Sequence, residues 1–153
     1  MSTETLAAHE RPVTSVLNLK SLPFHLSHAA VLLVFVVPFS WDMVALAAAF
    51  YVLRMFGITG GYHRYFSHRT YRTSRAFQFV MALVGASSMQ KGPLWWAAHH
   101  RRHHRHSDQE GDLHSPGRQG FFWAHVGWIL STQHEETELQ RVPDLAKYPE
   151  LLW

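Results

Sequence analysis

Trp95-Trp96-Ala97-Ala98-His99-His100-Arg101-Arg102-His103-His104-Arg105-His106 packs five of the chain's thirteen histidines into twelve residues with no acid among them. His100, His103 and His104 stand at i, i+3 and i+4, which places three imidazoles on one face of a helix. Imidazole is a good ligand for iron, zinc and copper. Alone, the run also fits a basic helix turned to solvent, so its surroundings decide.

Those surroundings are apolar and poor in charge. Of the 153 residues, 47% are apolar and only 16% charged, below the usual quarter. The length suits one domain. There is no cysteine, which excludes disulfides, thiolate metal sites and a cysteine nucleophile, so any metal is held by histidine or oxygen. The net charge of +3 hides an asymmetry: from Met43 to Ser107 the chain carries Arg and Lys but no Asp or Glu. A basic block of this kind commonly faces phosphate, whether of nucleic acid, lipid headgroup or ligand.

Upstream, residues 1–21 read as a flexible polar arm without a signal-peptide pattern. Two apolar runs follow, one within residues 22–40 and one within 42–60, joined at Pro38-Phe39-Ser40-Trp41-Asp42. Each meets the roughly 17–25 residues needed to cross a hydrocarbon core of about 30 Å. A buried hairpin in a soluble bundle has similar lengths, but charge favours the membrane. Lys20 precedes the pair, Arg64, Arg69, Arg72 and Arg75 follow it, and the joint holds only Asp42. Both ends are therefore expected on the cytoplasmic side.

Gly60-Gly61 is expected to end the second span. His63 and His68 beyond it are five apart, about 140° around an ideal helix, and can converge only at a helix end or a local distortion. Otherwise they are two surface histidines. Arg75–Met89 reads as an interfacial helix ended by Gly92-Pro93, and Phe121–Leu130 as a headgroup-level aromatic anchor. The acidic tail from Ser131 brings no closing element into view. No nucleotide loop or serine-nucleophile motif is found.

The segments GITGGYHRYFSHRTY, WWAAHHRRHHRHSD and GFFWAHVGW, in this order, resemble the membrane fatty acyl desaturases, in particular the acyl-CoA Δ9-desaturase branch. The likeness runs from about Leu53 to the end. It implies an all-α integral membrane protein: one transmembrane hairpin here, of the family's two, plus cytosolic or interfacial helices bearing histidine boxes at 63–68 and 100–104. Residues 22–153 would form the N-terminal part of that domain. The resemblance implies two iron ions with O2 as co-substrate, and His63, His68, His100, His103 and His104 as ligands. His99 competes with His100, since His99 and His103 are also i, i+4. Gln90 and Trp96 match residues lining the bend of an acyl tunnel, Arg101 is a candidate for substrate phosphate, and His114 is expected behind the ligands. A fatty acyl-CoA or acyl lipid would be the substrate, with membrane lipid around it. Cytochrome b5 or ferredoxin, with its reductase, would give electrons. The family's third box, His-Asn-x-His-His, has no counterpart here, so five histidines are expected not to complete two iron sites, and the chain alone to be inactive. Rival readings are a membrane di-iron lipid or alkane hydroxylase, a non-enzymatic metal- or phosphate-binding membrane protein, and a soluble nucleic-acid binder, which the apolar runs oppose.

Overall fold

The computed structural model describes Val16 and residues 18–152, and every element among them is helical. Most of the arm expected over residues 1–21 lies outside the described residues. Its last residues form a turn in which the Asn18 amide donates to the Leu130 carbonyl at 3.2 Å and Ser21 is buried.

The first apolar arm is shorter than the expected 22–40. Helix α1, Leu22–Ala30, has nine residues and tightens into five residues of 3-10 helix, Val31–Phe35. Together these reach about 23 Å, short of a hydrocarbon core of about 30 Å. Pro38 supplies the stop, since it disfavours helix at the residue before it and gives no N–H. The second arm is longer than expected. Helix α2, Trp41–Phe56, starts at Ser40 with Asp42 in its first turn, where a negative charge suits the helix dipole, and runs straight into Gly57–Ser67. Trp41–Ser67 is the one helix among the described residues long and apolar enough to cross a membrane. No residue of α1 or α2 is buried, and the row from Val31 to Phe56 exposes most of its large apolar side chains. A patch of this size marks a surface meant for lipid or another apolar partner.

Gly60-Gly61 does not end this helix. The chain there widens into a π-helix, Gly57–Ser67, and its glycines serve close packing instead. Helix α3, Arg75–Ala86, is capped by the Ser74 hydroxyl, which accepts from the Phe77 N–H. It lies so near that a Cβ on Gly57 would come within 2.8 Å of Val84 and Gly85, and one on Gly85 within 2.2 Å of the Tyr62 ring. Helix α4, Pro93–His106, opens with proline in its first turn, where the missing N–H costs nothing. It lays Leu94, Ala97 and Ala98 against Tyr62, Phe66, Met81 and Ala82.

Two expectations about the C-terminal third change. The tail has a closing element after all: Val142, Leu145 and Leu151 are buried and join this core, carried by short helical turns that begin at prolines, Pro143–Ala146 and Pro149–Leu151. The aromatic segment is only partly an exposed anchor. Phe121 and Phe122 are exposed, but Trp128 is buried with Trp95 and Leu113 in a second apolar cluster.

Candidate metal centre

The π-helix brings the first two histidines together. The His68 N–H donates to the His63 carbonyl at 3.1 Å, an i to i+5 bond that defines this wider winding. On an ideal α-helix a five-residue spacing splays the side chains. With the wider turn the rings of His63 and His68 lie 4.6 Å apart. The helix then reverses at Arg69, whose φ is +53°, a left-handed cap of the sort that closes helix ends.

Helix α4 presents His100 and His104 to this pair. The Nε2 atoms of His68 and His100 are 3.2 Å apart, and those of His104 and His100 are 3.0 Å apart. One donor atom from each of His63, His68, His100 and His104 lies within 4.8 Å of all the others. Nitrogens about 2.0–2.1 Å from a shared metal stand about 2.8–3.4 Å apart at 90–110°, so the closest pairs match an edge of a coordination shell. Burial, followed by the neighbouring imidazoles of His104, His63 and His68, pushes the His100 pKa down to about 3. Burial, then His63 and His104, also lowers His68. Both stay neutral at physiological pH with a lone pair to give, the form a metal requires. The arrangement fits a histidine-held metal ion.

His103 does not join them. Residues i+3 and i+4 lie on opposite sides of residue i, about 60° and 40° away, so the shared face of the triplet divides. His103 turns to Asp112, its Nδ1 2.9 Å from Oδ1. It stacks on His114 at 4.2 Å, and His114 stacks on Trp128 at 4.8 Å. His103, Asp112 and His114 form a second group of possible donors. The Asp112 side chain is fully buried and also accepts the backbone N–H groups of Asp108 and His114. A carboxylate on Nδ1–H fixes the tautomer and leaves Nε2 as the free nitrogen, the usual support for a metal-binding imidazole. Sequence reasoning missed Asp112; the available signal was an Asp-x-His nine residues past His103.

His99, the competitor of His100, is buried away from the cluster, with Nδ1 on the Trp95 carbonyl at 2.8 Å and its ring stacked on Trp95. Trp96 stacks on His100 at 4.5 Å, and its indole N–H donates to the Gln90 Oε1 at 3.2 Å. Gln90, Trp95, Trp96, His100, His114 and Trp128 line a largely apolar cavity of about 260 Å³ beside the four imidazoles.

The Arg101 guanidinium, expected to face substrate phosphate, is spent inside the chain. It donates to the carbonyls of Phe66, Ser67 and Arg141 and to both carboxylate oxygens of Asp144. These bonds use all five of its N–H groups.

Comparison with known proteins agrees with this geometry. The fatty acid desaturase family model matches residues 23–149. The sn-1 stearoyl-lipid 9-desaturase of Anabaena variabilis is 33% identical over 148 residues, covering 95% of this chain and 53% of that protein. The acyl-CoA Delta(11) desaturase of Choristoneura rosaceana is 37% identical over 64% of this chain and 29% of its own length. A probable acyl-CoA desaturase of Schizosaccharomyces pombe is 35% identical over 74% and 23%. The chain thus spans about half or less of the length of these relatives. Family membership, the all-helical fold and the histidine grouping agree, and the chain belongs to the fatty acid desaturase family.

Proposed function

We propose that this chain supplies the first metal site and one wall of the acyl-chain cavity of an O2-dependent fatty acyl desaturase. The observation that carries the proposal is the convergence of His63, His68, His100 and His104 beside an apolar cavity that shares His100 as a wall. Two iron ions with O2 supply the oxidising power to take hydrogen from an unactivated methylene, which side chains lack. The four imidazoles would hold the first ion, and His103, its tautomer fixed by Asp112, would offer its Nε2 to the second. The largely apolar lining of the cavity would receive a chain of methylenes beside the imidazoles. Trp96, held by Gln90 and stacked on His100, sets how that chain passes the site.

The carrier of the acyl chain is CoA or a lipid, the two classes in the names of the relatives above. The charge pattern supports both ends of the hairpin formed by α1 and Trp41–Ser67, and the histidines, on the cytoplasmic side; a partner such as cytochrome b5 or ferredoxin with its reductase would supply the electrons. The test is product analysis. The gene's full reading frame, expressed in a desaturase-deficient host, is expected to yield monounsaturated acyl chains; hydroxylated chains would support the hydroxylase alternative and overturn this one. The purified 153-residue chain is expected to take up metal at the four-histidine site without desaturating.

A further inference from the structure

Arg101 lies between His100 and the pair His103-His104 on α4, yet its side chain reaches back to the helix that carries the other two imidazoles. The reversal at Arg69 uses the carbonyls of His63, Arg64 and Tyr65 as acceptors. The next two carbonyls, Phe66 and Ser67, belong to buried residues, and a helix end leaves such groups in want of a donor. Arg101 meets both, through Nη2 at 2.8 Å and Nε at 3.0 Å. The remaining N–H groups turn the other way, to the Arg141 carbonyl at 3.1 Å and to Asp144 Oδ1 and Oδ2 at 2.7 and 3.1 Å. Asp144 also faces Arg69 at 3.4 Å. One planar, rigid fork therefore ties three pieces of chain: α4, the end of the π-helix and the C-terminal turn Pro143–Ala146.

We infer that Arg101 is a positioning residue for the four-histidine site, setting the distance between the His63/His68 pair and the His100/His104 pair and using the C-terminal turn as its anchor. The inference rests on the metal reading proposed above. None of the fork's hydrogen bonds goes to an imidazole, so its hold on their spacing runs through the backbone of the two helices, beside the direct effect of its charge on His68. A lysine at this position keeps the charge but lacks the planar fork, and its three donors cannot serve the five acceptors that Arg101 meets.

Electrostatics and positioning predict opposite signs for removal of the charge. A cation beside a metal site weakens metal binding, so Arg101→Gln would tighten it if charge were all that mattered. Positioning predicts the reverse. The experiment is titration of the metal-free 153-residue protein in detergent with Co2+, read by its d–d absorption, with far-UV circular dichroism as a check on the fold. Arg101→Gln and Arg101→Lys are each expected to keep wild-type helicity, bind Co2+ about 10-fold or more weakly, in the range seen when supporting groups of metal ligands are lost, and show altered d–d bands. Binding as tight as wild type with unchanged bands in both variants would overturn the inference. So would loss of helicity in both, which would make Arg101 a residue of the whole fold. If the wild-type protein takes up no Co2+, the metal reading itself fails, a result distinct from either.

Discussion

The His68 N–H donates to the His63 carbonyl across 3.1 Å, and this i to i+5 bond, part of the π-helix, brings two histidines five residues apart into one converging pair. Together with His100 and His104 it makes a site in which each imidazole supplies one donor. Substitution of any one of the four by alanine is expected to weaken Co2+ or Fe2+ binding by more than the roughly 10–100-fold lost with a supporting group. His103→Ala and His99→Ala are expected to leave that first site intact. Metal stoichiometry and affinity of the six variants, measured side by side, check the division. A His103→Ala chain as deficient as His100→Ala would mean that the two groups of donors act as one.

The division shows where sequence reading reaches and where it stops. The helical class and the second apolar span were legible because run length and composition carry them directly, and the histidine boxes because their residues resemble those of the desaturase family. The grouping within the boxes was not. Helix geometry let His63 and His68 converge only at a helix end or a local distortion, and the π-helix is that distortion. It put His100, His103 and His104 on one face; of these, His100 and His104 join the first pair while His103 groups with Asp112 and His114. The π-helical stretch begins at Gly57, where the backbone lies too close to α3 to admit a Cβ, and that neighbour is not visible in the local sequence. The turn of His103 depends on a buried carboxylate nine residues away. Arg101 read as a candidate for substrate phosphate because its five acceptors, three of them backbone carbonyls, are invisible in a sequence. The C-terminal turns were overlooked since three buried aliphatic residues spread among prolines have no helical or strand period.

Asp112 is the next point to test. Its buried carboxylate accepts from His103 and from the N–H groups of Asp108 and His114. Hydrogen bonds to a charged group contribute about 1.5–3 kcal/mol each, and truncation leaves three partly buried donors without this acceptor. Asp112→Ala is therefore expected to cost about 2–4 kcal/mol of stability, read as a fall in melting temperature. Asp112→Asn retains the shape and is expected to cost less while releasing the His103 tautomer. The nitrogen chemical shifts of the His103 ring report this: the wild type should hold its proton on Nδ1, and the Asn variant should shift toward Nε2. An unchanged ring would remove Asp112 from any role in presenting His103.

Gly85 offers a purely steric prediction. A Cβ there would stand 2.2 to 2.8 Å from three atoms of the Tyr62 ring, and Tyr62 is fully buried, with its hydroxyl donating to the Lys91 carbonyl at 3.0 Å. Neither the ring nor its hydrogen bond can shift cheaply. Overpacking of this kind typically costs about 1–3 kcal/mol, so Gly85→Ala is expected to lower the melting temperature. Tyr62 precedes His63, and displacement of the π-helix away from α3 should weaken metal binding as well. Stability lost without any change in metal affinity would separate the packing of α3 from the geometry of the site.

The metal-free chain is expected to be acid-labile well above the carboxylate range. Burial, followed by His99 and Arg102, holds the His134 pKa at about 4, and burial with the neighbouring imidazoles holds His100 at about 3. In the unfolded chain both return to about 6.5. A base whose folded pKa is depressed is neutral in the native state and takes up a proton on unfolding below pH 6.5. Its contribution to stability is thus complete above that value, declines as pH falls, and is exhausted once pH passes the folded pKa. Burial lowers His99 and His114 in the same direction, so more than one proton should be linked to unfolding between pH 6.5 and 4. Denaturant melts of the metal-free chain across this range are expected to show stability falling steadily with pH. Bound metal should steepen the dependence, because protons compete for the same nitrogens. A flat profile would mean that these imidazoles are already protonated or open to water in the native chain, and the neutral, metal-ready state of His100 would go with it.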